Sequence, residues 1–117
     1  MAFALALAGR LEEAVAHYNA ALKLDPSNPG DWDQLGTVFA HLGRTAEAKR
    51  HYEQALSLKP DDPDAHNNLG LLLARMGRLT EAVGHFEAAL RERPDFPAAR
   101  RNLELARQAL EGGSHEH

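Results

Sequence analysis

Apolar residues recur every three or four positions along most of this chain, the spacing that lines one face of an α-helix, and Gly and Pro fall at the joints between these stretches. Trp32, Leu35, Phe39 and Leu42 stripe one stretch, and Ala48, Tyr52, Ala55 and Leu56 stripe the next. The pattern predicts helices over residues 2–8, 11–25, 30–42, 45–58, 63–76, 79–92 and 97–111. Gly43 offers the left-handed conformation that ends one helix, and Thr45 is placed to cap the following helix through its hydroxyl. The turn between them is short, so the two helices run antiparallel. Pro60 stops a helix and Pro63 starts one, with Asp61, Asp62 and Asp64 complementing the positive end of the new helix.

The stripes repeat at a fixed offset. GRLEEAVAHYNAALKLDP from Gly9, GRTAEAKRHYEQALSLKP from Gly43 and GRLTEAVGHFEAALRERP from Gly77 align without a gap, 34 residues apart. Glu13/Glu47/Glu81, Ala14/Ala48/Ala82, Tyr18/Tyr52/Phe86, Ala21/Ala55/Ala89 and Pro26/Pro60/Pro94 coincide, and the pairs Leu35-Gly36 and Leu69-Gly70 recur at the same offset upstream. Small residues at Gly36, Gly70, Ala48, Ala82, Ala55 and Ala89 mark close helix approach, where a larger side chain would overpack by roughly 1 to 3 kcal/mol. Aromatic Phe39, Tyr52 and Phe86 fill the gaps that the small residues leave.

Trp32, Leu35-Gly36 and Phe39, followed by Ala48, Tyr52, Ala55 and Pro60, resemble the signature of the tetratricopeptide repeat (TPR) over residues 1 to about 111. The resemblance implies an all-α fold, a right-handed α-solenoid of antiparallel helix pairs with about three TPR units and a C-terminal capping helix. The expected division is a truncated first repeat at 1–28, a second at 29–62, a third at 63–96, a capping helix at 97–111 and a disordered tail at 112–117. Met1 falls where the leucine of a Leu-Gly pair would stand, so the chain begins inside a repeat and reads as a piece of a longer protein. In the last helix Glu104 replaces the glycine and Arg107 the aromatic, as suits a polar cap on an open end. Gly112-Gly113 is expected to end that helix.

Composition narrows the function. With 44% hydrophobic and 26% charged residues the chain is globular in type, and no apolar run reaches membrane-spanning length. A net charge of -4 argues against nucleic acid as partner. The absence of cysteine removes disulfides, thiolate metal sites and a cysteine nucleophile, and leaves cytoplasm and periplasm open. Three Lys against ten Arg points to a GC-rich, bacterial source. His17, His51 and His85 recur at the repeat offset, but equivalent side chains of stacked repeats stand about 10 Å apart, too far to share an ion whose ligands lie about 2 Å away. The acidic turns lack calcium-loop spacing, and no nucleophile elbow or phosphate loop occurs. Neither an enzyme nor a bound cofactor or metal is expected.

What remains is a binding surface. The resemblance implies that the opening helices line a concave groove, with the residue before each Leu-Gly pair pointing into it. These residues are Gln34, Asn68 and Asn102, an amide ladder. Thr37, Leu71 and Leu105 follow two residues after each leucine, Phe3 is their counterpart in the first unit, and Arg75 and Arg101 flank the face. Relatives that clasp a terminal carboxylate use a lysine where this chain has Asp33, so no carboxylate clamp is expected. The reading is a protein-interaction scaffold that takes a protein or peptide in its groove. Two alternatives are a self-assembly module, with a homodimer through the truncated first repeat, and a recruiting appendage of an enzyme in a parent chain.

Overall fold

A computed structural model describes the backbone of residues 2–115 and the side chains of residues 9–112. Six helices follow in order: α1 (Ala2–Leu24), α2 (Pro29–His41), α3 (Thr45–Leu58), α4 (Pro63–Arg75), α5 (Leu79–Glu92) and α6 (Pro97–His115). They divide into two compact units, Met1–Pro60 with α1 to α3 and Asp61–His117 with α4 to α6. Among the described residues the fold is all-helical, and no helix is long and apolar enough to cross a membrane.

The joints follow local chemistry. Asn28 caps α2, its Oδ1 accepting from Gly30 N at 2.9 Å and Asp31 N at 3.4 Å, and Pro29 stands in the first turn, where its missing N–H costs nothing. Asp62, at the repeat offset, caps α4 in the same way through Asp64 N and Ala65 N. At the other end of α2, Gly43 takes φ 78°, Arg44 N donates to Phe39 O at 2.9 Å and Gly43 N to Ala40 O at 3.1 Å. That pair of bonds is a Schellman closure, and it recurs at Gly77 with φ 82° and Arg78 N on Leu73 O. A three-residue turn therefore reverses the chain in each unit.

Within the first unit α3 folds back on α2 and α1 packs on α2; within the second, α5 folds back on α4 and α6 packs on both. Leu35, Phe39, Ala48, Tyr52 and Ala55 are buried in the first unit, and Leu69, Leu73, Ala82, Phe86, Ala89 and Leu103 in the second. The small residues stand where helices touch. A Cβ on Gly36 would lie 2.8 Å from Cδ1 of Tyr52, and one on Gly70 would lie 2.7 Å from Cε1 of Phe86.

The sequence reading departs from the structure at three joints. The two helices expected at 2–8 and 11–25 form one helix, α1, ending at Leu24, and Gly9 is helical, unlike Gly43 and Gly77. A seven-residue opening helix has too few hydrogen bonds to offset its nucleation, whereas carrying the helix through one glycine costs only about 1 kcal/mol. Tyr18 is left half-buried, while its counterparts Tyr52 and Phe86 are 3% and 0% exposed. Thr45 is not a cap: Arg44 holds the cap position of α3 and no side chain bonds there. The Schellman turn already places the Arg44 carbonyl to accept from Ala48 N at 3.0 Å, so the helix starts one residue earlier than a threonine cap would set it. Finally, α6 runs through Gly112 to His115 instead of ending at residue 111. The last two residues of the expected tail lie outside the described ones.

Candidate functional site

The second unit holds a cleft of about 250 Å³. Leu71, Ala74 and Arg75 of α4 form one wall, Leu79 and the buried ring of Phe86 from α5 form the floor, and Asn102, Leu105 and Ala106 of α6 form the other wall. Residues 71, 74 and 75 lie within one turn or so of each other on α4, as do 102, 105 and 106 on α6, so helical spacing alone turns both sets to the same side. The lining is apolar apart from the Asn102 amide and the Arg75 guanidinium. Leu105 is 53% exposed, which leaves a large apolar surface at the mouth of the cleft.

Asn102 is oriented from beneath. Its Nδ2 donates to Oδ1 of Asn67 at 3.1 Å, and Asn67 is buried at 8% exposure. The bond fixes the amide with its nitrogen inward, leaving the carbonyl oxygen available as an acceptor. Arg75 closes the last turn of α4, where a cation is favoured by the helix dipole, and it is exposed. On the outer side of α6, Arg107 Nη2 pairs with Glu87 Oε2 at 2.8 Å and ties α6 to α5.

Four of the sequence-predicted site residues, Leu71, Arg75, Asn102 and Leu105, thus line one cleft. The others lie elsewhere. Asn68 is half-buried on α4 and Arg101 is exposed on α6, and neither lines the cleft. Gln34 is exposed in the first unit. Thr37 belongs to the packing there, since its Oγ1 donates to the Asp33 carbonyl at 3.1 Å and shares a hydrogen bond with the Tyr52 hydroxyl at 2.9 Å. The side chain of Phe3 lies outside the described ones. Asp33 is buried at 7% exposure, matching buried Asn67 at the repeat offset. Sequence reasoning missed Asn67, Ala74, Leu79 and Ala106. A helical-wheel projection of α4 and α6 finds Ala74 and Ala106 beside Leu71 and Leu105, but Leu79 enters from the closing helix and had no signal in an opening-helix pattern.

The first unit carries a separate cleft of about 370 Å³ lined by Asn19, Leu22, Lys23, Pro26 and Trp32. Trp32 Nε1 donates to the Pro26 carbonyl at 2.8 Å, which fixes the indole across the α1–α2 joint. On its other side the indole meets His51, with ring centroids 5.6 Å apart, and His51 stacks on Phe39 at 5.1 Å. Burial in this sandwich, with the charge of Arg50 second, holds the His51 pKa below its ordinary 6.5.

The comparisons with known proteins agree with this architecture. A model described as tetratricopeptide repeat matches residues 34–97, and one described as TPR repeat matches residues 4–43. The chain belongs to the tetratricopeptide repeat family. Among solved structures, the first TPR of Spaghetti (RPAP3) bound to the HSP90 peptide SRMEEVD is 25% identical, with a TM-score of 0.84 over 88% of this chain and 82% of that one. The Sgt2 TPR domain from Aspergillus fumigatus is 22% identical, with a TM-score of 0.87 over 96% and 76%. TTC0263, a thermophilic TPR protein of Thermus thermophilus, is 33% identical, with a TM-score of 0.77 over 84% of this chain and 50% of that one. A comparison with curated proteins returns no significant match.

Proposed function

We propose that the chain is a protein-interaction module whose second unit holds an apolar side chain of a partner segment in the cleft between α4, α5 and α6. The observation that carries this reading is the combination of an apolar lining with one oriented amide and one cation at its edge. The apolar lining supplies most of the affinity, at about 25 cal/mol per Å² buried, and the Asn102 carbonyl takes a peptide N–H and fixes register. Arg75, exposed at the cleft edge, favours a carboxylate on the segment. The first Spaghetti domain was solved with an acidic peptide, which points the same way. Recognition here uses side chains of the segment and not its terminus, because Asp33 is a buried carboxylate where a carboxylate clasp needs a lysine. No residue set for catalysis enters this reading.

The test is a methyl NMR titration with a pool of C-terminally amidated twelve-residue peptides, each carrying several Glu and one Leu, Ile, Met or Phe, against a matched pool with Lys in place of Glu. The acidic pool shifts the methyl resonances of Leu71, Leu79 and Leu105 and the basic pool does not. Shifts confined to residues of the first unit, or equal shifts from both pools, contradict the proposal.

A further inference from the structure

In the second unit two imidazoles face each other where the repeat does not require it. His66 of α4 and His85 of α5 stand with their Nδ1 atoms 3.0 Å apart and ring centroids 5.2 Å apart, tilted by 31°. Their counterparts at the repeat offset are Trp32 and His51, where an indole does the packing. A tryptophan therefore suffices at this joint, and the second unit instead carries two nitrogen donors on adjacent helices, both half-buried. These histidines belong to one helix pair, so the distance that separates equivalent histidines of successive repeats does not apply to them.

The spacing has a chemical meaning. Two imidazole nitrogens each about 2.0 to 2.1 Å from one ion stand about 2.9 Å apart at a right angle and about 3.4 Å apart at the tetrahedral angle. The observed 3.0 Å, the length of the hydrogen bond that joins the two Nδ1 atoms, is also close to the spacing of two neighbouring positions on a square-planar or octahedral ion. That geometry, with nitrogen and water ligands, belongs to Ni²⁺ and Cu²⁺. We propose that His66 and His85 form a two-imidazole site for a late first-row divalent cation of the nickel or copper type, with water in the remaining positions. Without the ion one Nδ1 donates to the other; on binding, both Nδ1 atoms turn their lone pairs to the ion, and the proton that was on one Nδ1 moves through solvent to Nε2 of the same ring. No proton is lost in this change. The ion would staple α4 to α5 through residues that do not line the cleft.

The probe is NiCl₂, titrated into the chain of residues 1–117 with His115→Ala and His117→Ala, which removes chelation by these two histidines. Calorimetry gives one Ni²⁺ per chain, weakened at least tenfold by His66→Phe or His85→Phe and unchanged by His51→Phe. Circular dichroism checks that each variant is folded. A second measurement needs no variant at the site: in ¹⁵N-labelled protein, substoichiometric Ni²⁺ broadens the imidazole resonances of His66 and His85 before those of His17, His41 and His51. Unchanged affinity in both Phe variants, no uptake, or broadening that spares His66 and His85 overturns the proposal.

Discussion

At Gly70 the α4 backbone meets the ring of Phe86 with no room for a methyl group, and the energetics of the second unit turn on that contact. A Cβ there would approach the ring to 2.7 Å, and the neighbour is a fully buried aromatic that cannot swing away. Gly70→Ala is expected to destabilise the protein by roughly 1 to 3 kcal/mol through overpacking. Gly84→Ala is the control, because Gly84 lies inside α5 with nothing near a Cβ, and the substitution should raise stability by about 0.5 to 1 kcal/mol. Chemical denaturation of the two variants measures the difference, and equal effects would mean that α4 and α5 do not pack through Gly70. At Asn102 the same scale applies to a polar contact. Asn102→Ala strands the buried Oδ1 of Asn67 and is expected to cost about 1 to 3 kcal/mol of stability. A denaturation midpoint unchanged by Asn102→Ala would show that the amide pair contributes nothing.

The helices divide into those whose ends are written locally and one whose end is not. Gly43 and Gly77 were legible as turns because each needs only its own positive φ and two backbone bonds, and Asn28 and Asp62 reach the amides of their own first turns. Gly9 carries the same Gly-Arg pair, yet it lies inside α1. What decides the joint is the length of helix before the glycine, a balance of nucleation against tertiary contact that no residue pattern displays. Gly9→Ala is therefore expected to stabilise by about 0.5 to 1 kcal/mol, and Gly43→Ala to destabilise by about 1 to 2 kcal/mol because a Cβ at φ 78° meets the following carbonyl. Thermal unfolding of both variants decides the matter, and a Gly9→Ala loss as large as that of Gly43→Ala would restore a turn at residue 9. The α2–α3 pair adds a pH dependence. The folded His51 pKa lies below 6.5, so the unfolded chain takes up the proton first as pH falls. The stability held above pH 6.5 is lost as pH drops from there to the folded value, and His51→Phe should flatten the dependence of stability on pH in that window. An unaltered slope in the variant would place the titration elsewhere.

For the whole molecule, the 34-residue offset makes the repeat class readable from the sequence alone, because buried Leu35, Leu69 and Leu103 and the Gly–aromatic contacts recur with it. The lining of the cleft was half readable. The offset picks out equivalent positions, and so proposes a ladder of Gln34, Asn68 and Asn102, but equivalence is not adjacency. What brings Asn102 to Leu71 and Arg75 is the packing of α6 on α4 and α5, and what orients it is Asn67, one residue away from the ladder position. The cleft gives the proposed function its sharpest form, in which apolar contact would hold the segment and Arg75 would select its charge. Calorimetry on one acidic peptide taken from the pool, against the native protein, Leu105→Asp and Arg75→Glu, tests both halves at once. Both positions are exposed, so both variants are expected to unfold within about 0.5 kcal/mol of the native protein. The account predicts that each variant weakens binding at least tenfold, about 1.4 kcal/mol, and that Arg75→Glu regains affinity for the Lys-containing counterpart. Native-like affinity in both folded variants would contradict it.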